Sequence, residues 1–254
     1  MSYRALIEPA LNRRLPVARL HRSDRLNEAI RYAVFPGGKR MRPVLTLLGA
    51  EAAGGDLETA LGPACGVEYL HASSLILDDL PAMDNATLRR GEPALHLVFG
   101  EDIALLAALA LFNQAYALFG SSVQLMAEAT ACIGVNGMVG GQAVDLECQG
   151  EPDAAQKTTA LMRLALTAGA IACGASATDL RALARCGECL GEAYQLYDDI
   201  LDGDVAGHNC ERILHRAETL IAEAKASVGA RGGPLSSAID AIVEEFGQPS
   251  MVSG

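Results

Sequence analysis

The chain contains 254 residues, half of them apolar, with few aromatic side chains, no tryptophan and a formal net charge of −11. This charge argues against nucleic acid or an anionic membrane surface as a partner. The length allows one large domain, and the abundance of alanine and leucine favours helices over strands. We therefore predict a single all-α domain over residues 1–254.

Helical periodicity runs through most of the chain and is interrupted by glycine and proline turns. These turn signals lie at residues 36–38, 54–55, 91–93, 150–152 and 232–234. No segment shows the alternating pattern of a strand. Residues 103–116 and 161–172 are apolar on nearly every face, which predicts helices packed inside a bundle. The longest apolar stretches, residues 103–112 and 164–174, are too short to span a bilayer.

The first candidate site in chain order is a glycine turn followed by cations, at residues 37–42. Gly38 lacks a Cβ, so the backbone can approach an anion closely, and Lys39 and Arg42 can reach one diphosphate from the start of the next helix. Two further cationic segments follow: Arg89-Arg90-Gly91 and Lys157-Thr158. A solvated surface charge is the alternative interpretation of each segment taken singly.

Two aspartate clusters, more than a hundred residues apart, give the strongest chemical signal. Each follows an apolar, helix-like segment: Asp78, Asp79 and Asp84 in the first, and Asp198, Asp199 and Asp202 in the second. Clustered carboxylates repel one another and lose hydration, so they need a cation. Ligands that are all oxygen suit Mg²⁺, which binds carboxylates together with substrate phosphates. We predict several Mg²⁺ ions around one polyphosphate.

The spacing within the two clusters differs. Asp198 and Asp202 are four residues apart and share one face of a helix. Asp78 and Asp84 are six apart, about 240° around an ideal helix. Pro81 must kink or end that helix, which could bring the two carboxylates back together. A solvated helix terminus is the alternative interpretation of either cluster alone.

The seven cysteines follow no disulfide framework spacing, which predicts reduced thiols and a cytoplasmic location. Cys186 and Cys189 form a single CxxC pair, which we interpret as ordinary helix positions rather than a zinc or redox site. The first sixteen residues are polar and charged, and they contain no signal-peptide core.

These motifs together resemble the trans-isoprenyl diphosphate synthases, above all the bacterial short-chain branch that makes farnesyl and geranylgeranyl diphosphate. The resemblance is carried by GGKRMRP, HASSLILDDLPAMDNATLRRG, FGED, GGQAVDL, KTTAL and LGEAYQLYDDILD, and it covers roughly residues 25–203. It implies the isoprenoid synthase fold, a helical bundle around a central active-site cavity. It also implies a homodimer and a Mg²⁺-dependent prenyltransferase that joins isopentenyl diphosphate to dimethylallyl, geranyl or farnesyl diphosphate.

The resemblance implies a role for each candidate residue. The diphosphate of isopentenyl diphosphate would be held by Gly38, Lys39, Arg42, His71 and Arg90. Asp78 and Asp84 would bind two Mg²⁺ ions and Asp198 a third, with Asp79, Asp199 and Asp202 in or near that shell. The allylic diphosphate would contact Arg89, Lys157, Thr158 and Gln195. The groups expected to act in catalysis are Asp78, Asp84, Asp198 and Lys157, and for His71 a buried structural imidazole is the alternative.

Product length is predicted from the helix that carries Asp78, along which the hydrocarbon should extend. Ser73 and Ser74 lie about one turn deeper, and in farnesyl-forming relatives an aromatic residue is common at the position of Ser73. Small side chains there deepen the cavity by about 5.4 Å, roughly one isoprene unit. We predict the C20 product, geranylgeranyl diphosphate, with C15 farnesyl diphosphate as the alternative. Tyr69 and residues 105–109 are the expected stops.

The chain departs from the family pattern at three places. The lysines expected after Asp202 are missing until Lys225, and residues 149–156 replace a longer run ahead of Lys157. True deletions and loops missing from the sequence both remain open as explanations. The threonine and lysine expected around His96 are also replaced, which leaves its role open.

Two other functions are weighed against this prediction. A terpene cyclase would carry an Asn/Ser/Glu triad in place of the second aspartate cluster and would not need GGKRMRP, so the motifs argue against it. A weakly active or regulatory subunit of a heteromeric prenyl synthase fits the missing lysines, although two intact aspartate clusters count against it.

Overall fold

The computed structural model describes residues 2–35, 38–147, 155–201 and 208–247, which are almost entirely helical. Their α-helices are, in chain order, α1 (Tyr3–Arg14), α2 (Asp24–Val34), α3 (Met41–Ala52), α4 (Leu57–Asp78), α5 (Leu95–Phe99), α6 (Glu101–Phe119), α7 (Val123–Ile133), α8 (Met138–Glu147), α9 (Ala155–Ala172), α10 (Ala177–Leu201), α11 (His208–Val228) and α12 (Gly233–Gly247). A 3₁₀ turn at Gly229–Gly232 precedes α12. The prediction of an all-α fold is confirmed.

Short polar side chains fix where several helices begin. Ser2, Asp56 and Ser122 accept hydrogen bonds from the backbone N–H three residues later, at 3.3, 2.9 and 3.2 Å. These bonds satisfy amide groups that have no partner inside the first turn of α1, α4 and α7. Such capping is a local effect, so it can be predicted from the sequence.

One element differs from the helical expectation. A small antiparallel hairpin, β1 (Leu88–Arg89) and β2 (Glu92–Pro93), lies between α4 and α5. Its turn residues, Arg90 and Gly91, have φ angles of 57° and 82°, as a two-residue hairpin turn requires. Strands of two residues are too short to produce an alternating pattern. The hairpin holds the Arg89-Arg90 pair on a fixed turn.

The buried side chains form a hydrophobic core around α4, which packs against α3, α6 and α9. α10 packs along both α9 and α11. Residues 161–172 behave as predicted: Leu161, Met162, Leu164 and Leu166 are at most 3% exposed. The assignment of residues 1–254 to one domain stays a prediction.

α6 is less buried than its apolar sequence predicts. Its inner face contributes small side chains such as Ala107 and Ala108 to the core, whereas Leu105, Leu106 and Leu109 are 50%, 50% and 64% exposed. The prediction that residues 103–116 pack entirely inside is therefore wrong. Within the described residues, α6 also meets the length and hydropathy criteria for a membrane span, which is weak evidence because core helices of soluble proteins meet them too.

Candidate active site

A cavity of about 580 Å³ lies where α3, α4, α9 and α10 converge with the hairpin. Its lining includes eleven residues predicted from the sequence: Gly38, Lys39, Arg42, His71, Ser74, Asp78, Arg89, Arg90, Lys157, Thr158 and Asp198. Apolar side chains complete it at Met41, Leu75, Met138, Leu161 and Ile242. Segments far apart in sequence thus meet around one space that is charged at some positions and apolar at others.

The first aspartate cluster lies at the end of α4. Asp78 is the last helical residue and 8% exposed, while Asp84 lies in the following turn and is exposed. The chain folds back after α4, as expected from the break that Pro81 imposes on the helix. In this turn the Asp84 N–H donates to the Asp78 carbonyl oxygen at 2.9 Å. Burial raises the pKa of the Asp78 carboxyl above its ordinary value, although the hydrogen bond from Lys157 lowers it.

Asp79 lies behind the cavity rather than in its lining. Its carboxylate accepts hydrogen bonds from Arg89, with Nε at 2.9 and 3.2 Å from the two oxygens. Asp79 is 3% exposed, and its bond raises the pKa of the Arg89 guanidinium. In this conformation Asp79 fixes Arg89 beside the cavity, so its predicted place in or near the metal shell stays a prediction.

Lys157 connects α9 to the first cluster. Its ammonium group donates to Asp78 Oδ2 at 2.9 Å and to the side-chain oxygen of Gln142 on α8. A Cβ at Gly141 would lie 2.8 Å from the Lys157 backbone nitrogen, so this close approach requires glycine. Gln142 was not predicted as a site residue, although it lies in the GGQAVDL motif.

Asp145, one turn further along α8, is a second residue that sequence reasoning missed. Its Oδ1 is buried and has no hydrogen-bond partner in the described structure. Burial raises the pKa of its carboxyl, and the charges of Lys157, Asp78 and Asp84 also act on it. Asp145 therefore adds an unsatisfied acceptor beside the first cluster, where a cation or water is needed.

The second cluster lies on α10, whose Asp198 lines the same cavity as Asp78. A Cβ at Gly191 would lie 2.5 Å from the Thr159 Cα, so α9 and α10 come very close. Next to this contact, Thr158 donates to Gln195 at 3.2 Å, and Gln195 donates to Asp199 at 2.9 Å. Asp202 lies outside the described residues.

The carboxylates fit Mg²⁺ bound together with a phosphate. Within the described ranges, no group of three or more His, Cys, Asp or Glu side chains is placed to hold a metal ion alone. Mg²⁺ rarely needs such a group, since one or two carboxylates, water and substrate phosphates complete its shell. Asp78 and Asp84 on one side, with Asp198 lining the same cavity, supply suitable oxygens, and the unpaired Asp145 oxygen lies near the first pair.

The cationic side of the cavity includes Arg42, which is partly buried, and Arg90, which is more exposed. Burial lowers the pKa of both Arg42 and Arg90, and the buried Arg42 Nε has no hydrogen-bond partner among the described residues. Arg42 Nη1 lies 3.3 Å from His71 Nε2. Burial, aided by these arginines, lowers the pKa of His71 well below 6.5, so the ring is neutral. A buried guanidinium donor without a partner favours an anionic ligand.

The two serines predicted to set product length differ in position. Ser74 lines the cavity and donates to the His71 carbonyl oxygen at 2.9 Å. Ser73 is 2% exposed and donates to the carbonyl oxygen of Ala108 on α6, also at 2.9 Å. Ser73 therefore lies between α4 and α6 and is not part of the cavity lining.

The residues predicted to stop chain growth do not line this cavity. Tyr69 is fully buried beside α1, where its hydroxyl donates to the Leu11 carbonyl oxygen at 2.7 Å. Leu105 and Leu109 lie on the exposed face of α6. Spacing along α4 and α6 could not show which faces of these helices meet other elements.

Three other residues of the sequence analysis lie away from the cavity lining. His96 is buried on α5, and its Nδ1 has no partner in the described part of the chain. Cys186 and Cys189 are buried on α10; burial raises the pKa of the Cys186 thiol to about 12 and also raises that of Cys189. Protonated thiols fit ordinary helix positions.

The fold and site define a class of protein: an all-α bundle whose cavity faces aspartate clusters and desolvated cations. The chain belongs to the polyprenyl synthetase family, whose sequence model matches residues 23–213. It is 37% identical over 215 residues to a geranylgeranyl diphosphate synthase of Cyanophora paradoxa, covering 78% of this chain and 71% of that protein. It is 39% identical over 219 residues to the large subunit 1 of a heterodimeric geranylgeranyl pyrophosphate synthase of Arabidopsis thaliana, covering 78% of this chain but only 58% of that protein.

Solved structures agree with this family. A crystal structure of an FPP/GFPP synthase from Zymomonas mobilis superposes with a TM-score of 0.84 at 31% identity, covering 95% of this chain and 98% of that one. A crystal structure of a geranyltranstransferase from Thermotoga maritima superposes with a TM-score of 0.81 at 30% identity, covering 96% of this chain and 99% of that one. The predicted family, the isoprenoid synthase fold and a trans-prenyltransferase activity are confirmed. The roles of individual site residues stay predictions.

Proposed function

We propose that this protein is a Mg²⁺-dependent synthase that joins isopentenyl diphosphate to an allylic diphosphate and forms geranylgeranyl diphosphate. One observation carries the proposal: a single cavity brings together cations, apolar side chains, and Asp78 and Asp198 from the two aspartate clusters. The small side chain of Ser74, which lines the cavity, and the names of the sequence relatives support the C20 product. Farnesyl diphosphate is the alternative, supported by the names of the structural neighbours.

In this proposal the two diphosphates occupy opposite sides of the cavity. Arg42, Arg90 and His71 hold isopentenyl diphosphate, and the unpartnered Nε of Arg42 provides a hydrogen bond to it. Asp78, Asp84 and Asp198 hold the metal ions, proposed to be three, which neutralise charge on the leaving diphosphate when bound.

The remaining groups act on the allylic substrate. Lys157 and Thr158 orient its diphosphate, and the guanidinium of Arg89 balances its charge. Leu75, Met138 and the other apolar lining residues exclude water from the allylic carbocation that forms when the C–O bond breaks. The double bond of isopentenyl diphosphate then attacks this cation, and a proton is lost to complete the product.

An assay of the purified chain alone tests the proposal. Radiolabelled isopentenyl diphosphate is supplied with dimethylallyl, geranyl or farnesyl diphosphate, with Mg²⁺ or with EDTA, and the dephosphorylated products are separated by chromatography. We expect C20 product from each primer with Mg²⁺ and none with EDTA. C15 as the final product would favour the farnesyl alternative. A folded protein without turnover would favour a regulatory subunit.

The proposal includes a homodimer in the cytoplasm. The exposed leucines of α6, Leu105, Leu106 and Leu109, form an apolar face that a second copy would cover. The free thiols found among the described cysteines suit a reducing compartment. Size-exclusion chromatography with light scattering measures the assembly state, and a stable monomer would contradict the dimer.

Replacing Arg42 by alanine should weaken the binding of isopentenyl diphosphate far more than the binding of the allylic substrate. A lost charge-assisted contact is worth roughly 1.5–3 kcal/mol, so the KM for isopentenyl diphosphate should rise about 10- to 100-fold. Steady-state kinetics with each substrate varied in turn measures this split. Arg25→Ala is the control, because Arg25 donates to the Phe99 carbonyl oxygen outside the cavity. An equal rise in the KM values for both substrates would contradict the assignment of Arg42 to the diphosphate of isopentenyl diphosphate.

A further inference from the structure

Arg40 lies within the cationic turn but is held by the protein itself. It is 3% exposed, and Nη1 of its guanidinium donates to Glu68 at 2.6 Å. Nε donates to Glu8 at 2.9 Å, and Nη2 donates to the Val34 carbonyl oxygen at 2.8 Å. One side chain thus connects α1, the end of α2 and α4 at the start of α3.

The backbone of Arg40 is strained. Its φ of 56° lies in the left-handed region, which a side chain with a Cβ rarely adopts. Such a conformation persists where the surrounding contacts fix it. Here it reverses the chain immediately before α3, so that Lys39 and Arg42, on either side of Arg40, both line the cavity.

Glu68 gives this anchor an electrostatic role. It is 3% exposed, lines the same cavity, and its negative charge acts on both Arg42 and Arg90. A buried carboxylate in a cavity for diphosphate repels the ligand unless a cation neutralises it. The guanidinium of Arg40 offsets part of that charge through a direct ion pair, and it shares its own charge with Glu8.

We propose that Arg40 and Glu68 are positioning residues for the isopentenyl diphosphate site. Arg40 holds the turn in the shape that places Lys39 and Arg42 at the cavity, and it offsets the charge of Glu68 beside the ligand. Glu68 in turn fixes Arg40 to α4. Neither residue touches the reacting atoms. This inference rests on the proposed function, because it names the diphosphate that the turn binds.

The test combines Arg40→Gln, Glu68→Gln and the double variant, assayed with each substrate varied in turn. Arg40→Gln should raise the KM for isopentenyl diphosphate about tenfold or more, with the allylic KM changed by less than about threefold. Adding Glu68→Gln should lower the raised KM again by about threefold or more, because the uncompensated charge is removed. A purely structural ion pair would show such a recovery in the melting temperature and leave both KM values unchanged.

Two further variants keep the test decisive. Arg40→Lys retains the positive charge but loses the planar guanidinium, so it should raise the KM for isopentenyl diphosphate by about threefold. This variant provides a measurement even if Arg40→Gln fails to fold. Arg163→Lys is the matched control, because Arg163 pairs with Glu128 at 2.9 Å between α9 and α7, outside the cavity. It should leave both KM values unchanged.

The outcomes separate this inference from the proposed function. Lower melting temperatures with unchanged KM values in the Arg40 variants would overturn the positioning role. No turnover by the wild type would instead overturn the proposed function. In that case the variants are compared by calorimetric titration with inorganic diphosphate, which needs no turnover. Weaker binding of diphosphate by Arg40→Gln, with recovery in the double variant, supports the inference. Equal binding by the wild type and Arg40→Gln overturns it.

Discussion

Asparagine in place of Asp78 should lower kcat on the order of 10³-fold or more while the fold is kept. Asp78 lies at the end of α4 with one carboxylate oxygen on Lys157 and Asp84 folded back beside it. An amide has the same shape but no charge, so it binds Mg²⁺ poorly and no longer fixes the ammonium group. Asp198→Asn, on α10, should also lower kcat.

The measurement is turnover as a function of Mg²⁺ concentration, with melting temperature as the check on folding. Asp240→Asn is a matched control, because Asp240 pairs with Lys225 outside the cavity and is largely exposed. It should retain the wild-type rate. Near-wild-type turnover by Asp78→Asn or Asp198→Asn with Mg²⁺ would show that the two-cluster metal site is wrong.

Tyrosine in place of Ser73 should change the main product from C20 to C15 while turnover continues. Ser73 Oγ lies 2.9 Å from the Ala108 carbonyl oxygen, which leaves no room for a ring between α4 and α6. We expect the phenol to turn along α4 toward Ser74, which lines the cavity. That would shorten the space for the hydrocarbon by about one helical turn, roughly 5.4 Å, or one isoprene unit.

Chromatography of the dephosphorylated products measures this change, and Ser121→Tyr, at an exposed site before α7, serves as the control. Ser74→Phe should shorten the product directly, since Ser74 already lines the cavity. If Ser74→Phe forms the C15 product while Ser73→Tyr still forms C20, the hydrocarbon lies along the face of α4 that carries Ser74. An unchanged product from both variants would contradict this account of product length.

The sequence by itself determined the helical architecture, the turn signals and most of the cavity lining. These features depend on local effects: side-chain caps such as Asp56, the break imposed by Pro81, and cations placed directly after a glycine turn. The motifs also indicated the family, because several diphosphate-binding segments occur in one order along the chain. Gln142 and Asp145 lay inside a visible motif, but nothing in their spacing showed which groups they would face.

Only the tertiary structure decided which helix faces meet. Lys157 and Asp78 are 79 positions apart, and Arg40 reaches Glu68 on a different helix, so neither ion pair follows from periodicity. The same limit explains α6, where Ala107 and Ala108 face the core while Leu105, Leu106 and Leu109 are exposed. It also explains Ser73, which contacts α6 rather than the cavity. Periodicity shows which residues share a face of one helix, whereas the packing of whole helices determines what that face contacts.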